Sequence, residues 1–342
     1  MRVSAGILTD GSGRVLICRR GEGRKNAGLW EFPGGKREDG ETAESCLARE
    51  LREELRLTCE DLRAVCVTEA QGITFDFVAG RAVTEPTLTE HTALAWAKPR
   101  ELLGYPLCPA DTEIAERLAL NAPALKNFLW DYDGTLVDSY PQMVGYLREI
   151  CRDFGRDIPA ERIAALMKVT LHHAADTLAA ELGVEAQTLL NRFHRLRAER
   201  AELPPVLPGI PETLKAVKAA GGRNYLVTHN DMSAWEALRR HGLAALFDGG
   251  VTREDGFPHK PAPDSIRYLL TQHALDRRET VMIGDRPLDT GAGNAAGVLT
   301  CLIDTDNRFP DACCDLRASA TTGLAARLLP PPIPCFGGET NA

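Results

Sequence analysis

The chain has 342 residues, a length that fits two domains of ordinary size. Hydrophobic residues make up 44% and charged residues 26%, which is the composition of a folded globular protein and excludes a mainly disordered chain. The 40 Lys and Arg against 48 Asp and Glu give a formal charge of -8, and no long basic run is present, so a nucleic acid polymer is not an expected partner.

Apolar stretches are only a few residues long, well below the roughly 20 residues of a membrane-spanning helix. No membrane partner is therefore expected, and the N-terminal residues carry no pattern of a signal or transit peptide. The ten cysteines are scattered from Cys18 to Cys335 without a CxxC pair. This spacing favours a reduced, cytoplasmic protein over a disulfide framework, while the oligomeric state stays open.

Hydrophobic periodicity in the first third of the chain predicts a sheet with two helices. Two alternating segments, 3–9 and 14–18, flank a glycine-containing turn and predict a β-hairpin. Leu47, Leu51 and Leu55 recur at helical spacing and predict a helix over about 42–55. Further strands are predicted at 64–68, 73–78 and 94–97, and a second helix at 111–120 with Asp111 as its N-cap.

A Pro-containing segment at 121–124 ends the first predicted domain, which covers residues 1–121. Beyond it, short apolar runs at 128–130, 225–227, 281–283 and 299–303 alternate with helical stretches, the pattern of a parallel sheet. The second predicted domain covers 125–329 and contains a helix-rich insertion at about 141–205. Residues 330–342 are rich in Pro and Gly and are expected to form a flexible tail.

The predicted helix at 42–55 carries clustered carboxylates just after a glycine turn. Glu50 and Glu54 share one face of the helix, and Glu53 lies about 60° round from Glu50. Carboxylates this close repel one another unless a cation lies among them, and oxygen donors suit Mg²⁺, with Mn²⁺ as an alternative. A solvated Glu/Arg helix face would give the same pattern, so the helix alone does not decide between the two.

The residues before the helix favour the metal site. Gly35, Glu41, the run Arg49-Glu50-Leu51-Arg52-Glu53-Glu54 and Leu57 resemble the Nudix box, and 30–36 resembles its MutT-type members. The resemblance spans about residues 1–121. It implies an α/β/α fold with a mixed sheet, in which metal-bound glutamates activate water for attack on a nucleoside diphosphate linked to another group.

Carried onto this chain, the resemblance implies specific roles. The implied metal ligands or bases are Glu50, Glu53 and Glu54, with Arg49 orienting them; Gly34, Gly35 and Lys36 would line the phosphates. Asp111 falls where MutT-like proteins place a base-contacting Asn or Asp, although it also fits a helix N-cap. His91 is interpreted as structural rather than catalytic. Arg56 departs from the pattern, because the box usually has Gly there.

A second set of polar residues lies at predicted strand ends in the second domain. Asp131 and Asp133 follow the run at 128–130, at the edge where open α/β sheets bind ligands. Thr228 follows the second run, Lys260 precedes a proline, and Asp285 and Asp289 follow the third run. An aspartate can attack phosphorus as a nucleophile if cations screen its charge and a second group protonates the leaving oxygen.

Together these residues resemble the four motifs of haloacid dehalogenase (HAD) superfamily phosphatases, over about 125–325. The resemblance implies a Rossmann-like parallel-sheet core, and the insertion is similar to the α-helical cap of the phosphoglycolate-phosphatase-like branch. It implies Asp131 as nucleophile, Asp133 as acid/base, Thr228 and Lys260 binding the phosphoryl oxygens, and Mg²⁺ held by Asp285, Asp289, Asp131 and the Asp133 backbone carbonyl. The cap residues Lys168, Thr170, His172 and His173 are candidates for substrate contacts.

The expected whole is therefore a bifunctional Mg²⁺-dependent phosphohydrolase of small phosphorylated molecules. The Nudix half would cut unmodified or oxidised nucleoside triphosphates, or a pterin triphosphate, to the monophosphate, and the HAD half would remove phosphate from that product or another small monoester. Two alternatives remain open. In one, the halves act independently, as a phosphoglycolate-type phosphatase and a nucleotide clean-up enzyme; in the other, the Nudix half senses nucleotides and regulates the phosphatase.

Overall fold

The described residues, 1–121 and 124–333 of a computed structural model, divide into two units. The first unit comprises Met1–Ala124 together with the chain from Leu329 onward, and the second comprises Leu125–Leu328. Each unit has its own sheet. No helix among the described residues is long and apolar enough to cross a membrane.

The first unit has a mixed sheet. Its strands are β1 (Arg2–Thr9), β2 (Val15–Arg19), β3 (Trp30–Glu31), β4 (Gly34–Lys36), β5 (Cys59–Ala70), β6 (Ile73–Ala82) and β7 (Ala93–Ala97), and its helices are α1 (Ala43–Leu55), a 3₁₀ helix (Pro99–Gly104) and α2 (Pro109–Leu120). The sheet order is β3-β2-β1-β6-β5, with β4 paired to β1 and β7 paired to β2. Strands β1 and β6 run parallel, while β1 and β2 form the antiparallel hairpin that the sequence predicts.

Alternating side chains of the first sheet form two cores, one on each face. Leu8 packs with Leu47 and Leu51 of α1, whereas its neighbour Ile7 packs with Ile114 of α2 on the opposite face. Helix α1 begins at a capping box, in which the Thr42 hydroxyl accepts from the Ser45 N–H at 3.2 Å. The sheet lies between the two helices, in agreement with the α/β/α fold expected for this half.

The two ends of interest in the helices are the start of α2, which differs from the sequence prediction, and the end of α1. Helix α2 begins at Pro109 after the cap residue Cys108, so Asp111 lies in the first turn and is not the N-cap. Proline fits the first turn because its missing N–H is unpaired there anyway. Arg56 takes the left-handed conformation, with φ 49° and ψ 30°, and ends α1 as a glycine would.

The second unit has a parallel sheet in the order β10-β9-β8-β11-β12-β13. Its strands are β8 (Asn127–Trp130), β9 (Arg223–Val227), β10 (Gly249–Val251), β11 (Thr280–Gly284), β12 (Leu299–Ile303) and β13 (Leu316–Ala318). Its helices are α3 (Tyr140–Asp153), α4 (Ala160–Val169), α5 (Leu171–Leu182), α6 (Ala186–Arg200), α7 (Ile210–Ala219), α8 (Ser233–Arg240), α9 (Asp264–Gln272), α10 (Pro287–Ala296) and α11 (Leu324–Leu328), with 3₁₀ helices at Ala244–Leu246, Arg253–Asp255 and Arg277–Glu279.

Helices α3 to α6 form the insertion after the first strand of this unit. They enclose a separate core that includes Leu147, Ile163, Leu178 and Phe193, each fully buried. The strands predicted at 128–130, 225–227, 281–283 and 299–303 are all present, and β8 neighbours both β9 and β11 at the centre of the sheet. A parallel-sheet core with an inserted helical cap confirms the predicted fold class.

The start of the predicted tail differs from the expectation of a flexible segment. Ile333 is buried in the core formed on the α2 face of the first unit. Arg117 and Asn121 donate hydrogen bonds to the Pro331 and Pro330 carbonyls at 3.4 and 3.3 Å. The chain therefore returns to the first unit after completing the second; residues 334–342 lie outside the described part.

Candidate active sites

The first site lies where the glycine turn meets the polar face of α1. A Cβ on Gly35 would lie 2.2 Å from the Glu50 carboxyl carbon, so only glycine lets this strand approach the carboxylate so closely. A Cβ on Gly34 would lie 2.0 Å from the Ser4 carbonyl oxygen of β1. Both glycines are therefore required for β4 to pack between β1 and α1.

Arg49 links the carboxylates of this site. Its guanidinium donates to Glu41 at 2.8 Å, to Glu50 at 2.8 Å, to Glu53 at 3.2 Å and to the Lys36 carbonyl at 3.1 Å. The bond from Arg49 lowers the pKa of Glu41 to about 2. The structure thus places Arg49 in contact with two of the three box glutamates, as an orienting residue would be.

Glu54 occupies the inner end of the site and is buried. Arg24 Nη1 lies 3.8 Å and His91 Nδ1 lies 4.0 Å from its carboxylate oxygens. Burial raises the pKa of Glu54 to about 7; His91 opposes this shift and the Glu50 carboxylate adds to it. His91 also contacts Glu31 at 3.2 Å, so the residue interpreted as structural lies within the site.

A cavity of about 550 Å³ brings Glu50 and Glu54 together with the glycine turn and Lys36. The two carboxylates are oxygen donors that fit a hard divalent ion, and Gly35 leaves Glu50 the room to face the cavity. Glu53 is different, because its side chain is 59% exposed. Within residues 1–121 and 124–333, the three glutamates do not form a group with all ligand atoms inside 4.8 Å, so metal binding by Glu53 stays a prediction.

Asp111 lines the same cavity and is buried. One carboxyl oxygen accepts a hydrogen bond from the Phe32 N–H at 3.2 Å. Burial raises the pKa of Asp111 to about 8, and the Glu31 carboxylate adds to this shift. Since Phe75 also lines the cavity, a base-sized group would meet an aromatic side chain and a carboxyl group there.

The second site is centred on Lys260, at the carboxyl ends of the parallel strands. Its Nζ lies 2.6 Å from Asp131 Oδ1, 2.6 Å from Asp289 Oδ1 and 3.1 Å from the Val227 carbonyl oxygen. All three charged side chains are at most 3% exposed. One ammonium group therefore joins two buried carboxylates that the sequence separates by 158 residues.

Opposing effects set the charge of these carboxylates. Burial acts to raise the pKa of Asp131, but Lys260 and Arg286 outweigh it and hold the pKa below the usual value. Burial and the neighbouring Asp131 charge raise the pKa of Asp289 to about 6. Lys260 and Arg286 thus keep Asp131 ionised, which is the state that a carboxylate nucleophile requires.

Asp131, Asp285 and Asp289 together form a candidate metal centre. Their ligand atoms all lie within 4.8 Å of one another, and all three residues are buried. Asp131 Oδ2 and Asp285 Oδ1 have no hydrogen-bond partner among the described residues. Two buried, unpartnered carboxylate oxygens fit a hard divalent cation such as Mg²⁺.

Asp133 lies apart from the three-aspartate cluster. Its two oxygens accept hydrogen bonds from Ser139 Oγ at 2.5 Å and Asn230 Nδ2 at 2.6 Å. The Asn230 N–H in turn donates to Thr228 Oγ1 at 3.0 Å. The side chain of Asp133 is thus positioned independently of the metal cluster; metal binding by its backbone carbonyl stays a prediction.

The cap and the residue after Asp285 add groups to this site. Lys168 Nζ lies 2.6 Å from Asp285 Oδ2, and the Tyr140 hydroxyl donates to the same oxygen at 3.1 Å. Arg286 Nε lies 3.7 Å from Asp285 Oδ1. The sequence analysis named Lys168 but missed Tyr140 and Arg286. Only Arg286 had a sequence signal, its position directly after a predicted metal ligand.

The remaining cap candidates have other contacts. The Thr170 hydroxyl caps α5 by accepting from the His173 N–H at 2.9 Å. The His172 ring centroid lies 6.5 Å from that of His259, which in turn lies 4.3 Å from the His229 ring. The structure therefore assigns Thr170 a capping role and brings only Lys168 of the four candidates to the aspartate cluster.

Comparisons with known proteins agree with this division. The family model of the NUDIX domain matches residues 1–124, and that of haloacid dehalogenase-like hydrolases matches residues 128–303. A CTP pyrophosphohydrolase of Escherichia coli (strain K12) is 39% identical over 128 residues, which are 36% of this chain and 94% of that protein. A plasmid phosphoglycolate phosphatase of Cupriavidus necator is 28% identical over 182 residues, 51% of this chain and 79% of that protein.

A solved structure shares the fold of the second unit. It is described as a predicted phosphoglycolate phosphatase from Haemophilus somnus and aligns with a TM-score of 0.52. The alignment covers 58% of this chain and 96% of that chain at 20% identity. At this identity the likeness concerns the fold alone.

Proposed function

Because the chain belongs to the NUDIX family through its first unit and to the haloacid dehalogenase-like hydrolases through its second, we propose that it is a bifunctional, Mg²⁺-dependent phosphohydrolase. The first unit cleaves a nucleoside triphosphate to the monophosphate and pyrophosphate. The second unit removes phosphate from a small phosphorylated compound through an aspartyl-phosphate. The observation that carries the proposal is the buried Asp131-Lys260-Asp289 arrangement beside Asp285, with two carboxylate oxygens left unpartnered among the described residues.

In the second unit, the Asp131 carboxylate attacks phosphorus and the bond from phosphorus to the leaving oxygen breaks. Asp133, held by Ser139 and Asn230, protonates that leaving oxygen. Water then attacks the aspartyl-phosphate, gives a proton back to Asp133 and releases phosphate, which restores Asp131. Lys260 offsets the repulsion between Asp131 and the anionic substrate, and Thr228 binds a phosphoryl oxygen.

In the first unit, Glu50 and Glu54 would hold the ion, with Glu53 as a further ligand. Arg49 fixes the direction of Glu50 and Glu53, while Gly34, Gly35 and Lys36 form the phosphate side of the cavity. In both sites a bound ion would neutralise charge on phosphate oxygens, and in the first site it would also lower the pKa of bound water. Asp111, which lines the same cavity, contacts the base of the nucleotide.

CTP is the first triphosphate to test, because the E. coli relative is a CTP pyrophosphohydrolase. A mostly uncharged Asp111 carboxyl suits this base, since it can donate to cytosine N3 and accept from the cytosine amino group. Oxidised and pterin triphosphates are the competing substrates. Phosphate release from the resulting monophosphate or from another small phosphate compound would be the second reaction.

The experiment compares wild type with Asp131→Asn. Each protein is incubated with Mg²⁺ and CTP, an oxidised nucleoside triphosphate or a pterin triphosphate, and monophosphate, dephosphorylated product, pyrophosphate and phosphate are separated. We expect both proteins to consume one triphosphate at the same rate and a phosphorylated product to accumulate only with Asp131→Asn. If neither protein consumes any of the triphosphates, the first activity is refuted. If Asp131→Asn releases phosphate as fast as wild type, the second activity is refuted.

A further inference from the structure

Two consecutive hydrogen bonds connect the helical cap to Asp133. Arg197, on the cap helix α6, donates from Nη1 to Asn230 Oδ1 at 2.8 Å. Asn230 is buried, and its Nδ2 donates to Asp133 Oδ2 at 2.6 Å. Asn230 and Asp133 follow the neighbouring strands β9 and β8 of the parallel sheet. Arg197 therefore reaches Asp133 through a single amide group.

The chemistry of these groups fixes the direction of the Asn230 amide. A guanidinium group has donors and no acceptor, so the amide atom that faces Arg197 must be the oxygen. The NH₂ group is then turned toward Asp133, to which it can only donate. The Asn230 backbone N–H also donates to Thr228 Oγ1 at 3.0 Å, which holds the residue from its main chain. Arg197 thus determines which end of the amide Asp133 meets.

The direction of the amide matters for the proton that Asp133 delivers. Asn230 donates to one carboxyl oxygen, and the Ser139 hydroxyl donates to the other at 2.5 Å. The proton of the acid form is therefore left on a lone pair that faces neither residue, where a leaving oxygen can take it. An amide turned end for end would offer its oxygen to Asp133 and accept that proton instead.

Arg197 is suited to hold the amide in this direction. Its donors reach two neutral oxygens, Asn230 Oδ1 and, at 3.4 Å, Ser233 Oγ. A hydrogen bond from a charged donor is stronger than one between neutral groups. Arg197 and Asp133 line one cavity of about 460 Å³, so water could take the place of a shortened side chain. Water both donates and accepts, and it would not fix the direction of the amide.

We propose that Arg197 is a positioning residue of the second site, which acts through Asn230 to keep the proton of Asp133 available to the leaving group. The inference rests on the proposed function and adds a cap residue to its protonation step. The proton moves from Asp133 to the leaving oxygen as the bond from that oxygen to phosphorus breaks, and Arg197 neither gains nor loses a proton. Protonation of the leaving group thereby depends on contact between cap and core.

The first test varies the leaving group. For wild type and Arg197→Met, kcat/KM is measured with Mg²⁺ and p-nitrophenyl, phenyl or benzyl phosphate, whose leaving oxygens increase in basicity in that order. We expect Arg197→Met to lower kcat/KM about tenfold or more for benzyl phosphate and much less for p-nitrophenyl phosphate, because a basic leaving oxygen depends most on the acid. Equal losses for the three compounds would overturn the inference, since a merely structural residue or a phosphate ligand gives that result.

Further variants make the comparison specific to the path through Asn230. Arg197→Lys keeps a charged donor and should recover part of the benzyl phosphate rate. Arg195→Met removes an exposed arginine of the same helix and should leave all three rates unchanged. Adding Arg197→Met to Asn230→Ala should cause little further loss, because the two residues act as one unit. Additive losses would overturn the inference.

A measurement that needs no turnover separates this inference from the proposed function. The side-chain amide signals of Asn230 are assigned by nuclear magnetic resonance through their loss in Asn230→Asp. We expect one strongly deshielded amide proton in wild type, from the bond to Asp133, and a shift toward a free amide in Arg197→Met. If wild type hydrolyses none of the three compounds and this shift is seen, only the phosphatase activity is refuted. An Asn230 signal that is the same in both proteins would overturn the inference.

Discussion

The two candidate sites handle clustered carboxylates in opposite ways. In the second unit, Lys260 pairs with Asp131 and Asp289 in a fully buried arrangement. In the first unit, Arg49 joins carboxylates of graded exposure, from 14% for Glu50 to 59% for Glu53. Buried charges must be paired to be tolerated, so the second site is assembled by folding itself. Exposed carboxylates carry no such requirement, and the first site leaves part of its assembly to the ion and substrate.

The largest expected effect is on catalysis, and it tests whether triphosphate hydrolysis requires the exposed carboxylate of Glu53. Glu53→Gln removes a charge that we propose joins the ion in the first site. Triphosphate hydrolysis should fall about 10²- to 10³-fold, the range seen when one electrostatic group of a transition state is removed. Phosphate release by the second unit, measured separately with p-nitrophenyl phosphate, should stay at the wild-type rate.

Glu44→Gln on the same helix is the matched control, because its carboxylate accepts from the Ala64 N–H and Glu44 is not one of the residues that carry the Nudix resemblance. Full triphosphate turnover in Glu53→Gln would contradict the proposed ligand role. If that variant loses turnover but the second unit still responds to bound nucleotide, the regulatory alternative gains support.

The second prediction compares stability between the two sites. Lys260→Met leaves Asp131 and Asp289 buried without their cation and should lower the unfolding free energy of the second unit by about 3–5 kcal/mol. Arg49→Met affects carboxylates that water can reach and should cost the first unit only about 1 kcal/mol. Urea unfolding followed by hydrogen exchange of peptides from each unit would measure both.

Adding Asp131→Asn to Lys260→Met should recover part of the lost stability, because one uncompensated charge is removed. Equal costs at the two sites would mean that burial does not distinguish them.

The third prediction concerns the pH dependence of the first unit. The pKa of Asp111 is about 8 when folded, against an ordinary value of 3.8, because its burial disfavours the charged form. The folded state therefore holds this proton more tightly than the unfolded state, and stability falls as pH rises from about 4 to 8. Asp111→Asn removes the titration, so its stability relative to wild type should increase by about 1 kcal/mol per pH unit across that range.

Hydrogen exchange of first-unit peptides between pH 5 and 8, corrected for the intrinsic exchange rate, would measure this trend. A difference between variant and wild type that does not change with pH would show that Asp111 is ionised in the folded protein.

The smallest effect concerns the end of the helix that carries the first site. Arg56 has φ 49°, a region that costs a non-glycine residue roughly 1 kcal/mol. Arg56→Gly should therefore stabilise the first unit by about 1 kcal/mol and leave triphosphate turnover unchanged, as thermal unfolding and rate measurements would show. Arg52→Gly in the same helix is the contrasting change, and it should destabilise the unit. A loss of turnover in Arg56→Gly would show that the arginine side chain acts in the reaction.

Much of the fold was predictable because local patterns specify it. The alternation in β1 and β2, the leucines of α1 and the apolar runs of the parallel sheet each encode an element through their own period. The predicted start of α2 was wrong because aspartate is a common N-cap residue, and the sequence therefore favoured Asp111 as the cap. The position of Asp111 in the wall of the cavity could not be read from the sequence.

The site was predictable to the extent that its residues lie in short motifs. Asp131, Asp285 and Asp289 follow strands that meet at one edge of the sheet, and the structure brings them together with Lys260, which the sequence placed only by its motif. The contact of Lys168 with Asp285 joins residues 117 positions apart and depends on how the cap lies over the core. No local pattern encodes such a contact, and so Tyr140, from the same cap, was missed.

The return of the chain to the first unit has a consequence for how the two units influence each other. Ile333 completes a core whose other members precede residue 121. The second unit is therefore inserted into the chain of the first unit, which continues from both of its ends. If the inserted second unit of about 200 residues is unfolded, bringing its two ends together to complete the first core has a high entropic cost. If the second unit is folded, its chain is already ordered and most of this cost is absent. The units are thereby linked through chain entropy, and a single cut cannot separate them without removing a core residue from the first.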